Sequence, residues 1–138
     1  MNIKSHADKN GAPSIHELHL NPEPFNMIKN GRKTVEIRLN DEKRKAIVPG
    51  DLIRFFLRGS EEMILARVTA LYVAPSFEVL FEVGGLLNKG GWQATTPKAA
   101  AEDMRKYYSQ EREAENGALA IEFTILLSTP AETPIITL

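Results

Sequence analysis

The segment Thr34-Val-Glu-Ile-Arg-Leu39 constrains the fold of this chain more than any other stretch. Val35, Ile37 and Leu39 alternate with Thr34, Glu36 and Arg38, which is the period-two pattern of a β-strand with one buried face. The other face then projects a hydroxyl, a carboxylate and a guanidinium in a row. Just upstream, Asn21-Pro22-Glu23 has the composition of a helix start. Asn21 can cap, Pro22 suits the first helical position, and Glu23 faces the positive end of the helix dipole. That helix is expected to run to about Lys29 and to stop at Gly31.

The remaining segments supply mostly strands. Ile15 to Leu20 suits a short strand, and Asn40 to Lys45 a charged loop or helical turn. Pro49-Gly50-Asp51 signals a turn. Leu52 to Leu57 and Met63 to Val73 suit two strands joined by a hairpin around Gly59-Ser60. Ser76 suits the cap of a short helix, Phe77 to Val83, and Gly84 to Thr95 is a glycine-rich loop holding the single tryptophan, Trp92. Thr96-Pro97 opens a second helix with Ala100, Met104, Tyr107 and Tyr108 at core-facing spacing. Ser109 to Asn116 adds a helical turn, Asn116-Gly117 ends it, and Ala118 to Leu127 forms a last strand. Residues 1–13 are expected to be a flexible leader, 14–128 the folded domain and 129–138 a loose tail. The order β-α-β-β-β-α-α-β predicts an α+β fold, a small closed or partly open barrel with helices packed around its mouth.

A chain of 138 residues has room for one core. It holds no cysteine, which excludes disulfides, thiolate catalysis and Cys-ligated zinc. No apolar run approaches membrane-spanning length, and the polar leader lacks the apolar centre of a secretory signal. A cytoplasmic protein is expected. The net charge of −1 conceals an asymmetry. Between Lys29 and Lys45, seven cations face three anions, a surplus of four, while the rest of the chain has a deficit of five. Such a patch suits an anion such as phosphate, although a solvated charged loop has the same composition.

Gly31-x-Lys33-x-x-Glu36-x-Arg38 resembles the G-x-K-x-x-E-x-R signature of the ASCH domain family, whose barrel is similar to the PUA domain. Further similarity lies in His16-Glu-Leu-His19, Pro22-Glu-Pro-Phe25, Asn40-Asp41, Pro49-Gly-Asp51, Ser76-Phe-Glu78, Met104 to Ser109 and Gly117 to Glu122, roughly residues 15–127 in all. The resemblance implies a cleft between barrel and helix, lined by the signature. It also implies RNA binding. Some family members resemble enzymes that cut single-stranded RNA, and others hydrolyse N4-acetylcytidine.

Three functions follow as expectations. The first is an RNA-binding domain with ribonuclease activity toward single strands, working through a basic cleft. Here Arg32, Lys33, Arg38, Asn40 and Tyr108 contact RNA, and Lys33, Glu36 and Ser109 are the candidate catalytic residues. A lysine held near Arg38 would have its pKa pushed down and become a proton acceptor; unperturbed, it would bind phosphate. Glu36 serves either as general base or as partner in a structural salt bridge with Arg38. The second function is an amidohydrolase acting on a modified nucleoside. The family's cytidine-deacetylating members, which this chain resembles, place a threonine nucleophile three residues after the signature lysine, where this chain has Glu36; hydrolysis with Glu36 as base toward water stays open. The third is a non-catalytic RNA-binding module. Tyr107 is assigned to packing, while Trp92 is either a stacking platform or a plug beneath its loop. His16 and His19 point to opposite faces of a strand and lack a third ligand at suitable spacing, so no metal site and no cofactor is expected there. A divalent ion held by Glu36, Asp41 or Glu42 is left open.

Overall fold

The computed structural model describes residues 2–3, 12–93 and 95–129. In chain order the elements are β1 (Asn2–Ile3), β2 (Ile15–Leu20), α1 (Pro22–Lys29), β3 (Val35–Leu39), α2 (Glu42–Lys45), β4 (Leu52–Leu57), β5 (Met63–Ala74), α3 (Phe77–Phe81), α4 (Leu86–Lys89), α5 (Pro97–Asp103), a 3-10 turn at Met104–Lys106, α6 (Gln110–Asn116) and β6 (Ala118–Ser128). The strands form one curled sheet in the order β2-β4-β5-β6-β3, a half-barrel. Only β2 and β4 run parallel; their neighbours along the path are antiparallel. The end strands β2 and β3 approach each other at the mouth, where Arg38 Nη2 on β3 donates to the His19 carbonyl of β2 at 3.1 Å.

Two apolar clusters explain the curl. Phe25 and Ile28 of α1 fill the inside of the half-barrel with Leu18, Phe55, Leu71, Leu119 and Ile121. A second cluster packs α3, α4 and α5 against the other face of β3 and β6, through Val35, Ile37, Leu39, Ala118 and Ala120. Strand β3 and residues 118–123 of β6 are therefore covered on both sides, while residues 124–128 of β6 are exposed. This corrects the expectation of one buried face for β3. Val35, Ile37 and Leu39 meet the helices, and alternation turns Glu36 and Arg38 toward the barrel mouth, where Glu36 is buried as well.

Several boundaries differ from the sequence expectations for local reasons. Asn21 occupies the cap position of α1, but its side chain makes no capping bond. The glycine-rich loop contains a helical turn, α4, entered at Gly85 with φ 85°. The second long helix breaks after Asp103 into the 3-10 turn, which carries Tyr107 out of the core to 63% exposure. Asn2–Ile3 pairs antiparallel with Val73 and Tyr72; residues 1, 4–11 and 130–138 of the expected leader and tail lie outside the described residues.

Gly117 joins α6 to β6 with φ 78° and ψ −178°, a region open only to glycine. A Cβ there would lie 2.8 Å from the Ala74 carbonyl oxygen. Gly117→Ala is expected to destabilise the fold by about 2 kcal/mol or more, read as a lower urea midpoint with unchanged m-value.

Candidate functional site

The signature begins as the C-terminal stop of α1. Gly31, with φ 83°, donates its N–H to the Ile28 carbonyl, and Arg32 N donates to the Met27 carbonyl at 2.9 Å. This is the paired bonding of a Schellman turn, which uses up the orphan carbonyls and reverses the chain. Lys33 N also donates to Met27 O, at 3.0 Å. The reversal sends the Lys33 side chain inward, where the residue is 5% exposed.

Three charges then meet at the floor of a cavity of about 690 Å³. Lys33 Nζ donates to the Gly90 carbonyl at 2.8 Å, lies 3.2 Å from Glu36 Oε1, and sits 5.6 Å from the centre of the Trp92 ring. Glu36 Oε1 also accepts from Ile37 N at 3.1 Å, and its Oε2 accepts from Arg38 Nη2 at 3.3 Å. The carboxylate therefore lies between the lysine and the arginine. Lys33 and Arg38 thus share one anion. Burial pushes the Glu36 carboxyl up, but the Lys33 ammonium and Arg38 guanidinium, helped by hydrogen bonds from Lys33 and Ile37, outweigh it. The net effect holds the group below the ordinary carboxylate value of 4.5.

Of the residues singled out from the sequence, Lys33, Glu36, Arg38 and Tyr108 line this cavity. Arg32 is exposed and outside it. Asn40 is buried beside β3 with its Oδ1 unpartnered, also outside the lining. Ser109 caps α6, its hydroxyl accepting from Arg112 N at 3.2 Å, and does not line the cavity. Thr34, next to Lys33, does not line it either. Trp92 packs edge-on against Phe81 at 4.9 Å and forms part of the wall. The sequence reading missed His19, Arg44, Arg58, Lys106, Tyr107 and Arg112 as wall residues. Arg44 lay within the basic segment and was findable by its charge; Arg58 and Arg112 come from distant elements and carried no local signal. His16 Nε2 lies 2.8 Å from Asp51 Oδ2, and His19 stacks on Phe56.

A half-barrel with a charged recess at its mouth is the architecture of the PUA-like class. The sequence profile of the ASCH domain matches residues 18–126, so this chain belongs to the ASCH domain family. It is similar to the crystal structure of the hypothetical protein PH0355, with 32% identity, 81% of this chain and 99% of the other covered, and a TM-score of 0.71. It is also similar to the solution structure of protein PF0455 from Pyrococcus furiosus, with 35% identity, 81% and 97% coverage, and a TM-score of 0.63. The crystal structure of ASCH from Zymomonas mobilis shares the fold at 18% identity, with 81% and 68% coverage and a TM-score of 0.57. No curated protein matches the chain.

Two outcomes follow. Because the Glu36 pKa is depressed on folding, its stabilisation is complete above about pH 4.5 and is lost as pH falls through the lower folded-state value. In thermal melts from pH 7 to pH 2.5, the melting temperature should fall below that point. Glu36→Gln, which strands a buried cation and costs roughly 3–5 kcal/mol at neutral pH, should converge on the wild type in acid. Ser109→Ala should cost about 1 kcal/mol through the lost cap, as measured by urea unfolding.

Proposed function

We propose that this ASCH domain is a cytoplasmic RNA-binding protein that takes a short stretch of single-stranded RNA into the cavity at the barrel mouth. The observation that carries this reading is the composition of the wall. Six Lys or Arg side chains face three carboxylates, and Trp92, Tyr107 and Tyr108 stand among them. Cations attract the phosphate backbone, and aromatic faces stack on unpaired bases. A recess of about 690 Å³ lies in the usual range for a small-ligand site. It is far too small for a duplex, which fits the short basic patch on a chain of net charge −1. Among the described residues no helix is long and apolar enough to cross a membrane.

Binding has more support than cleavage. A general base must take up a proton, and Glu36, held below the ordinary carboxylate value between Lys33 and Arg38, is a weak one. The Ser109 hydroxyl is committed to its cap. Ribonuclease activity would therefore rest on Lys33 and Glu36 alone. The amidohydrolase reading has less support, since Glu36 stands where the nucleophile would be and Thr34 is outside the cavity wall.

The test is titration of a labelled single-stranded RNA at several salt concentrations, beside a duplex of the same sequence. Single strands should bind more tightly, with affinity falling as salt rises. Lys33→Ala should weaken binding at least tenfold while the RNA stays intact on a gel. Equal binding of duplex, or affinity indifferent to salt, would reject the proposal; cleavage that is lost in Lys33→Ala would restore the enzyme.

A further inference from the structure

We propose that the floor of the cavity is a subsite for the hydrogen-bonding edge of a nucleobase and not for phosphate, with phosphates held at the rim by Arg58 and Arg112. This deepens the RNA-binding reading and rests on it.

The position an incoming anion would take between Lys33 and Arg38 is already occupied. Glu36 sits there, its side chain 7% exposed, within 3.2 Å of the ammonium and 3.3 Å of the guanidinium. The anion of this salt-bridge system is thus supplied by the protein itself. A phosphate pressed onto the floor would bring its charge against a buried carboxylate in a medium that screens poorly.

The unused bonding capacity of the floor points the same way. Glu36 Oε1 accepts from the Ile37 amide and faces Lys33, so both its lone pairs are directed at donors. Oε2 accepts from Arg38 Nη2 alone and keeps one lone pair. Arg38 makes both its hydrogen bonds, to His19 O and to Glu36, through Nη2, so Nη1 and Nε have no partner among the described residues. Both side chains belong to the cavity wall. The floor therefore presents an acceptor beside a donor. A phosphate dianion only accepts and leaves the acceptor unmet. The edge of a base offers an N–H next to a ring nitrogen or carbonyl and answers both. Trp92, in the wall beside Lys33, supplies a ring face at the same depth.

The rim differs in kind. Arg58 and Arg112 are exposed, line the cavity, and have no carboxylate partner among the described residues. Arg112 lies over the Tyr108 ring, 5.9 Å from its centre. Uncompensated arginines in solvent are phosphate sites by charge and by geometry.

Trp92 is the single tryptophan, so its emission reports events at the floor. The probes are the four ribonucleosides, which carry no charge, and ribose 5-phosphate, each also tested as competitor against a labelled single-stranded oligonucleotide. In the wild type at least one nucleoside should change Trp92 emission saturably and displace the oligonucleotide, while ribose 5-phosphate should do neither at tenfold higher concentration. Glu36→Gln should invert that order, weakening the nucleoside at least tenfold and admitting the sugar phosphate. Arg58→Ala and Arg112→Ala should each lower oligonucleotide affinity and its salt slope, and lower nucleoside affinity much less. The two surface variants and the wild-type panel carry the test even where Glu36→Gln fails to fold. Ribose 5-phosphate competing as well as the nucleosides, or rim variants weakening nucleoside and oligonucleotide alike, overturns the subsite. Nucleosides that bind when no oligonucleotide does overturn the RNA reading and leave the subsite standing. An oligonucleotide displaced only by the sugar phosphate does the reverse, and a protein that binds none of the probes refutes both.

Discussion

The mouth of this half-barrel depends on the mutual compensation of Lys33, Glu36 and Arg38. Each charge alone would be expensive to bury, and the carboxylate between two cations makes the set tolerable. The same three side chains hold separate parts of the chain together. Lys33 reaches the Gly90 carbonyl on the loop after α4, and Arg38 reaches the His19 carbonyl on β2. The charges that define the cavity floor are thus also the ties that hold its walls in place, so site and scaffold are not separable here.

Two other buried carboxylates, Asp51 and Glu113, follow a related plan, each engaging a cation or an imidazole and at least one backbone amide. Asp51 accepts from the amides of Ser14 and Val48 and lies against His16, locking the turn before β4. Glu113 accepts from the Phe77 amide and lies 2.7 Å from Arg105 Nη1. That pair connects α6, the start of α3 and the 3-10 turn, and so sets where Tyr107 and Tyr108 emerge. Main-chain amides have fixed directions, so a carboxylate bound to one holds its own element in a defined orientation.

Much of this could be read in the residues themselves, and the limits of that reading are physical. The Gly31 stop and the alternation of β3 are local signals, and both were legible because backbone sterics and strand periodicity act over a few residues. The burial of Glu36 was not, since it depends on α4 and its loop arriving from fifty residues away to cap the barrel mouth. Tyr107 had the spacing of a core residue on a continuous helix, and the break at Met104 moved it to the surface. Ser109 looked chemically available because a hydroxyl beside two tyrosines suggests a site; its position one residue before α6 was the better clue, since that is where a serine satisfies a free amide. The wall arginines come from β3, α2, the turn after β4 and α6, and no single window of sequence holds them together.

The side-chain link between β3 and β2 has a mechanical consequence. Along the rest of the sheet, neighbouring strands are joined by ladders of backbone bonds that shift only as a unit. Among the described residues a single guanidinium hydrogen bond spans the seam, from Arg38 to the carbonyl of His19. Rotation of that one side chain would break the tie with every ladder bond kept, on the timescale of side-chain motion.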